Sequence, residues 1–369
     1  MASFKVAASS ASCYDRAREV KEFDESKAGV KGLVDAGVTT IPRFFHHPDS
    51  SLTLPPVASL SIPTIDLSLP RPRAVELVAA AARDWGFFQV IDHGLPPDAI
   101  SAVLSSIQAF HELPAEAKAA HYTREEVGGV SFNSNFDLYR SEAATWRDTL
   151  LVRMRPTPPD TEKIPEVCRW ELLAWDEHAR GLAVRVLGLL SEGLGVEAGR
   201  LEGLSILKGN SIVCHYYPYC PQAELTLGLA GHTDPGVLTV LVQNEVGGLL
   251  MKKGSPGEGG DWVGVDPVPG AVVINIGNTL QMISNDEYKS VEHKVVANPH
   301  KKPRVSIAAF YTPNHIDEST YFGPLPELVS PEKPARYREF TISDVRNTFL
   351  ATKLGTTSTL NHFKIIRNE

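Results

Sequence analysis

SIVCHYY (211–217), VLTVLVQ (237–243), AVVINI (271–276) and RVSIAAFY (304–311) are short apolar runs, rich in β-branched residues and parted by Gly, Pro, Asp and Asn turns. Their length and composition make each a buried strand. No long helical pattern lies between them, so a parallel α/β sheet lacks its crossovers and a β-sandwich or barrel is expected. Upstream, IPTIDLS (62–68) and WGFFQVIDHG (85–94) read as two further strands. Helical spacing marks 73–84, 98–111 and 170–194, the last stopped by Gly195. A final helix is expected over 343–354. At the other end, the charged segment 16–27 predicts a helical arm, and HHPDSSLTLPPVASLS (46–61) a linker.

The chain has 369 residues, 43% apolar and 22% charged, which excludes disordered and fibrous classes. Lys plus Arg is 36 against 44 for Asp plus Glu, a net charge of −8, so no positive field would hold a nucleic acid. No run approaches the length of a membrane span, and the N-terminus carries no continuous apolar signal. Cys13, Cys168, Cys214 and Cys220 are few, no Asn-x-Ser/Thr acceptor occurs, and a reducing, cytoplasmic setting is expected. The thiols read as small apolar side chains without a redox role.

Chemistry concentrates in three places. In Gly231-His232-Thr233-Asp234, a His and an Asp two apart on a strand end project to one side and could share a metal. Alone, the pair could equally be a surface turn before Pro235. His293 lies 293 − 234 = 59 residues on, after the dense run GNTLQMISNDEYKSVEH (277–293). His232, Asp234 and His293 together would leave three adjacent positions of an octahedral iron open, although zinc also accepts such donors and His293 could merely cap a strand. In Arg304-Val305-Ser306, alternation sets an arginine and a hydroxyl on one face of an apolar strand, where they would clamp a carboxylate.

This ordered set, with HYYPYCPQ (215–222) and WGFFQVIDHG upstream, resembles the plant 2-oxoglutarate- and Fe(II)-dependent dioxygenases over roughly residues 60–355. The resemblance implies a mainly β fold with flanking helices, built on a double-stranded β-helix, a cupin-like jelly roll. It implies an N-terminal arm and linker (1–60), an N-terminal dioxygenase region (61–170), a catalytic core (171–355) and a tail (356–369). Carried over residue by residue, His232, Asp234 and His293 bind iron, Arg304 and Ser306 hold the distal carboxylate of 2-oxoglutarate, and Tyr217 hydrogen-bonds the cosubstrate. Tyr216 packs in the core. His215 and Asn278 stand where the family often has Asn and Asp, and both departures are expected to leave triad and clamp untouched.

EFDESKAGVKGLVDAGVTTIPRFFHHP (22–48) and SNFDLYRSEAATWRDTL (134–150) are similar to the clade of 1-aminocyclopropane-1-carboxylate oxidase homologues, which includes the benzoxazinoid-glucoside dioxygenases of grasses. The implied reaction consumes 2-oxoglutarate and O2, gives succinate and CO2, and hydroxylates or oxidatively demethylates a small, aromatic specialised metabolite or hormone, with ascorbate as reductant. Phe310, Phe132, Asn133, Phe136 and Tyr139 are the substrate-contact candidates, each aromatic weighed against ordinary core packing. Trp146-Arg147-Asp148 reads as structural. A monomer with neither nucleic acid nor membrane as partner is expected. Two rivals stand beside this reading: an ascorbate-dependent oxidase of the ethylene-forming type, and a non-catalytic ligand-binding protein on the same fold.

Overall fold

The four apolar runs are neighbours in one sheet. The computed structural model describes residues 14–48, 60–254, 260–313, 319–351 and 359–366. Its strands among these are β1 (Thr64–Asp66), β2 (Phe87–Ile91), β3 (Thr123–Val127), β4 (Val130–Asn133), β5 (Asp148–Arg155), β6 (Gly209–Tyr217), β7 (Leu227–His232), β8 (Leu238–Gln243), β9 (Leu249–Lys253), β10 (Asp261–Gly264), β11 (Val272–Ile276), β12 (His293–Val296) and β13 (Arg304–Thr312). Nine form a sheet in the order β1-β2-β11-β8-β13-β6-β5-β4-β3, and four form a second in the order β10-β9-β12-β7. From β6 onward the chain alternates between sheets, apart from the β9–β10 hairpin. That winding is the double-stranded β-helix the runs foreshadow.

The smaller sheet is the less legible one. LGLAGH, LLMKK and DWVG carry little apolar alternation, so β7, β9 and β10 escape a reading based on hydrophobic period. The helices are α1 (Arg16–Glu25), α2 (Gly29–Asp35), α3 (Arg71–Asp84), α4 (Pro97–His111), α5 (Ala115–Ala119), α6 (Arg169–Gly193), α7 (Asn278–Ile283) and α8 (Ile342–Ala351). Leu172, Trp175, Leu182 and Val186 of α6 share one core with Val240, Ile274 and Ile307, so the long helix covers the outer face of the nine-stranded sheet. Cys168, Cys214 and Cys220 are buried free thiols, and burial pushes the Cys168 thiol up to about 12. Cys13, linker residues 49–59 and the last three residues of the expected C-terminal helix lie outside the described residues.

The N-terminal arm is folded onto the barrel. Phe23, Phe44 and Phe45 cluster, and Phe45 meets Trp146 edge-on at 4.9 Å. Asp148, 1% exposed, accepts the backbone N–H groups of Val30 (2.8 Å) and Lys31 (2.9 Å) and the Ser134 hydroxyl. A buried carboxylate thus satisfies the first turn of α2, where N–H groups are unpaired and anions are favoured. Gly29 makes the approach possible: its φ is +68°, and a Cβ there would sit 2.6 Å from Asp148 Oδ1. The two glycines of GVKGLVD also explain why α2 is not apparent from propensity.

Candidate active site

Register places the polar residues of the nine-stranded sheet in rows on its inner face. Thr149, His215, Ser306 and Gln243 form one row across β5, β6, β13 and β8, with Asn133 of β4 at its end. Ser211, Phe310, Thr239, Asn275 and Phe87 form another, nearer the opposite end of the barrel. Alternation alone produces both, because residues two apart on a strand share a face.

His232 ends β7, His293 begins β12, and the two are paired in register with ring centroids 4.2 Å apart. Asp234 follows in the next turn. Its Oδ1 lies 3.5 Å from His232 Nε2 and 3.6 Å from His293 Nε2. One ligand atom from each residue falls within 4.8 Å of the others, so the three converge on one point. The far side of every ligand is engaged. His232 Nδ1 faces Ala230 O at 2.9 Å and His293 Nδ1 faces Val291 O at 3.3 Å, so each Nδ1 carries the proton and each Nε2 turns a lone pair inward. Thr239 Oγ1 (2.6 Å) and Asn275 Nδ2 (2.7 Å) donate to Asp234 Oδ2, leaving Oδ1 free. Burial pulls the His293 imidazole down to about 4, and it is neutral at physiological pH. Burial would raise the Asp234 carboxyl, and the Thr239 hydroxyl that donates to it works in the opposite direction. Two imidazoles and one carboxylate suit Fe(II).

At the other end of the interior stands Arg304, 1% exposed. Its Nη1 donates to Ser306 Oγ (2.9 Å), its Nη2 to Gln243 Oε1 (2.8 Å), and its guanidinium lies 4.9 Å from the Tyr217 ring centroid. Arg304 makes no ion pair among the described residues, and its buried Nε has no partner. A buried guanidinium with an orphaned donor is incomplete by itself, and a carboxylate from a guest completes it. These residues therefore fit the distal end of 2-oxoglutarate. His215 contacts Thr149 Oγ1 through Nδ1 at 3.0 Å, and burial, with Arg147 and Arg304 nearby, holds its imidazole well below its ordinary value.

The substrate candidates separate. Phe310 is half-buried in the inner-face row that holds Asp234. Phe136 is exposed and walls a cavity of about 650 Å³ that Thr145, Arg147, Gly231, Trp262 and Phe349 also line. Phe132 does not reach the site. It pairs with Leu150 on the outer face and packs against Phe110, His111 and Tyr122 at 2% exposure. Tyr139 is likewise turned away, its phenol donating to Asp24 of the arm at 2.8 Å. Asn133 lies on the inner face, but its amide donates to Thr123 O and pins the β3–β4 hairpin. Tyr216 stacks on His111 in the core, as expected. Asn278 is closer to the triad than expected: its Nδ2 donates to Thr233 Oγ1 at 3.0 Å, and its backbone N–H to Asp234 O.

Thr239, Asn275 and Gln243 are site residues that motif reading passes over. Their signal is present all the same, since each is a polar residue in an apolar strand and must find a buried partner.

Comparison with known proteins agrees with this geometry. Residues 208–313 match the family model of the 2OG-Fe(II) oxygenase superfamily, and residues 62–171 match that of the non-haem dioxygenase in morphine synthesis N-terminal region. The 1-aminocyclopropane-1-carboxylate oxidase homolog 3 of Arabidopsis thaliana is 42% identical over 365 residues, covering 95% of this chain and 98% of the relative. Homolog 2 of the same plant is 41% identical over 378 residues, covering 99% and 100%. Among solved structures, JOX2 in complex with 2OG, Fe and JA is similar with a TM-score of 0.81 and 30% identity, over 92% of this chain and 98% of that one. The dioxygenase for auxin oxidation in rice follows with a TM-score of 0.68 and 29% identity, over 82% and 100%. With the triad, the clamp and these matches in register, the chain belongs to the 2OG-Fe(II) oxygenase superfamily and is an oxidoreductase that uses iron and 2-oxoglutarate.

Proposed function

We propose that the protein hydroxylates, or oxidatively demethylates, a small aromatic metabolite or hormone, consuming 2-oxoglutarate and dioxygen and releasing succinate and CO2. The observation that carries this reading is the position of Phe310, in the same inner-face row as Thr239 and Asn275, the two residues that grip Asp234. An aromatic wall beside the ligand set suits a planar guest. Phe136 faces the cavity at the rim and would meet the same guest.

In this reading, Nε2 of His232 and His293 and Oδ1 of Asp234 would hold iron. Bound iron, with 2-oxoglutarate, supplies the oxidative chemistry. Arg304, Ser306 and Tyr217 fix the distal carboxylate, and so orient the reacting end before the substrate arrives. His215, kept neutral, offers the cosubstrate a hydrogen bond without adding charge. Ascorbate serves as external reductant only. An oxidase working on ascorbate alone would turn over without 2-oxoglutarate, so cosubstrate dependence separates it, and a binding protein need not keep three converging ligand atoms. Net negative charge and buried free thiols support a monomer in the cytoplasm. No described helix is long and apolar enough to cross a membrane.

Succinate formation by the purified protein with Fe(II), ascorbate and 2-oxoglutarate tests this, across indoles, phenolics, benzoxazinoid glucosides and terpenoid acids. An aromatic member should raise succinate well above the substrate-free rate, and His232→Ala should abolish the rise. Stimulation by terpenoid acids alone would contradict the aromatic assignment.

A further inference from the structure

Trp146-Arg147-Asp148 looks uniform in sequence, but its three side chains part company in the structure. Trp146 is core, its indole donating to Tyr219 O, and Asp148 is spent on α2 and Ser134. Arg147 lines the 650 Å³ cavity, immediately before β5 and beside Tyr217. It is 2% exposed and makes no ion pair among the described residues. Its Nη1 is committed, donating to Thr145 Oγ1 and to Gly228 O (3.1 Å). Its Nε is buried without a partner, and no described residue accepts from Nη2. The free Nε–Nη2 edge is the pair of parallel donors that grips a carboxylate bidentately.

The guanidinium is also held in place. Asn135, in the left-handed region at φ +56°, accepts the Thr145 N–H (2.9 Å) and its hydroxyl, and donates Nδ2 to Thr145 O (2.9 Å). Thr145 in turn accepts from Arg147. The acids whose charge reaches Arg147 are Asp137 and Asp148, and neither hydrogen-bonds it. Of the other charged residues in the wall, Glu292 pairs with Lys252 at 3.2 Å and Lys294 lies 4.2 Å over the Trp262 ring, while Arg140 and Glu142 are exposed. Arg304 carries the same mark, a buried inner-face guanidinium with an orphaned Nε. The cavity wall includes Gly231 and Glu292, the residues just before the two histidine ligands, so a guest in it adjoins the ligand strands.

We infer that Arg147 anchors the substrate, and that the substrate is a carboxylic acid whose carboxylate lies on the Nε–Nη2 edge of this guanidinium while its ring extends along Phe136 toward the ligand set. This rests on the function proposed above and narrows its substrate class. It makes Arg147 a specificity-determining residue, distinct from the Arg304 clamp.

The test measures direct binding to Mn(II)-loaded protein saturated with 2-oxoglutarate, using matched pairs: phenylacetate and phenylacetamide, indole-3-acetate and indole-3-acetamide, a terpenoid acid and its amide. The wild type should bind at least one acid more than tenfold tighter than its amide. Arg147→Gln should bring that ratio near one, Arg147→Lys should lower it about tenfold, and the 2-oxoglutarate Kd should stay within twofold. Thr145→Val, which loosens the guanidinium without removing its charge, should lower the ratio severalfold and carries the test if the Arg147 variants do not fold. An acid-to-amide ratio unmoved by these changes would overturn the assignment. So would equal binding of acids and amides by the wild type, absence of binding by every acid, or a parallel loss of 2-oxoglutarate affinity, which would place Arg147 in the cosubstrate clamp. Failure of 2-oxoglutarate itself to bind the Mn(II)-loaded wild type would instead defeat the underlying functional reading.

Discussion

The floor of the interior, Arg304, Ser306, Gln243 and Tyr217, comes from three adjacent strands, whereas the mouth, Phe136, Arg147 and Phe349, comes from the loop between β4 and β5 and from α8. On the floor, strand pairing sets every side chain within a few ångströms of its partner, and alternation decides which way it faces. At the mouth, no ladder does this. Position there depends on single anchors: Asn135 on Thr145, Asp148 on Val30 and Lys31, and Asp24 receiving Tyr122, Arg124 and Tyr139. The proposed iron and 2-oxoglutarate residues sit on the paired strands, and the proposed substrate-facing part is tied to the N-terminal arm. Substrate choice can then change without disturbing the floor.

Four variants would break or sharpen that contrast. The largest effect belongs to His232→Ala, which removes a ligand atom and should take succinate formation below detection while the thermal unfolding of the metal-free protein changes little. Arg304→Lys keeps the charge but loses the fork. It should weaken 2-oxoglutarate binding by about 3 kcal/mol, roughly two orders of magnitude in Kd, read by titration. Thr239→Val strips one bond from Asp234 Oδ2 and should lower metal affinity about 10- to 100-fold, measured by competition with a chelator.

Asp24→Asn is the smallest of the four and acts at the mouth. It should cost about 1–2 kcal/mol in denaturant unfolding and expose the arm to proteolysis, while 2-oxoglutarate binding stays unchanged. It carries a pH signature as well. Burial, which would raise the Asp24 carboxyl, is outweighed by hydrogen bonds from Arg124, Tyr122 and Tyr139, which hold it below its ordinary value. A carboxyl lowered in the folded state contributes fully above its unfolded value and loses that contribution as pH falls through the folded one. The wild-type arm should therefore loosen in acid below about pH 4, and Asp24→Asn should lack that step.

The same contrast explains what could be read from the sequence. The strands of the larger sheet announce themselves as apolar runs, Arg304 and Ser306 stand out as polar residues on an apolar strand that demand partners, and His232, Asp234 and His293 stand out by residue type and spacing. Phe132 and Tyr139 mislead because an aromatic near the expected mouth has the same identity whether it faces in or out. Phe132 sits at the outward parity of β4, and Tyr139 is drawn off by Asp24 in a distant segment. β7, β9 and α2 were hidden for a related reason: their stability comes from tertiary partners, His293 and Met251 in register and Asp148 at a helix start, and not from local pattern.

The most direct test of the central claim, that a metal at the triad and a carboxylate clamp at Arg304 together hold one 2-oxoglutarate, is a calorimetric titration of 2-oxoglutarate into the protein with and without Mn(II). The account predicts one site per chain that needs the metal, vanishes in His232→Ala and weakens roughly a hundredfold in Arg304→Lys. Metal-independent binding of equal strength, or an Arg304→Lys variant that binds like the wild type, would contradict it.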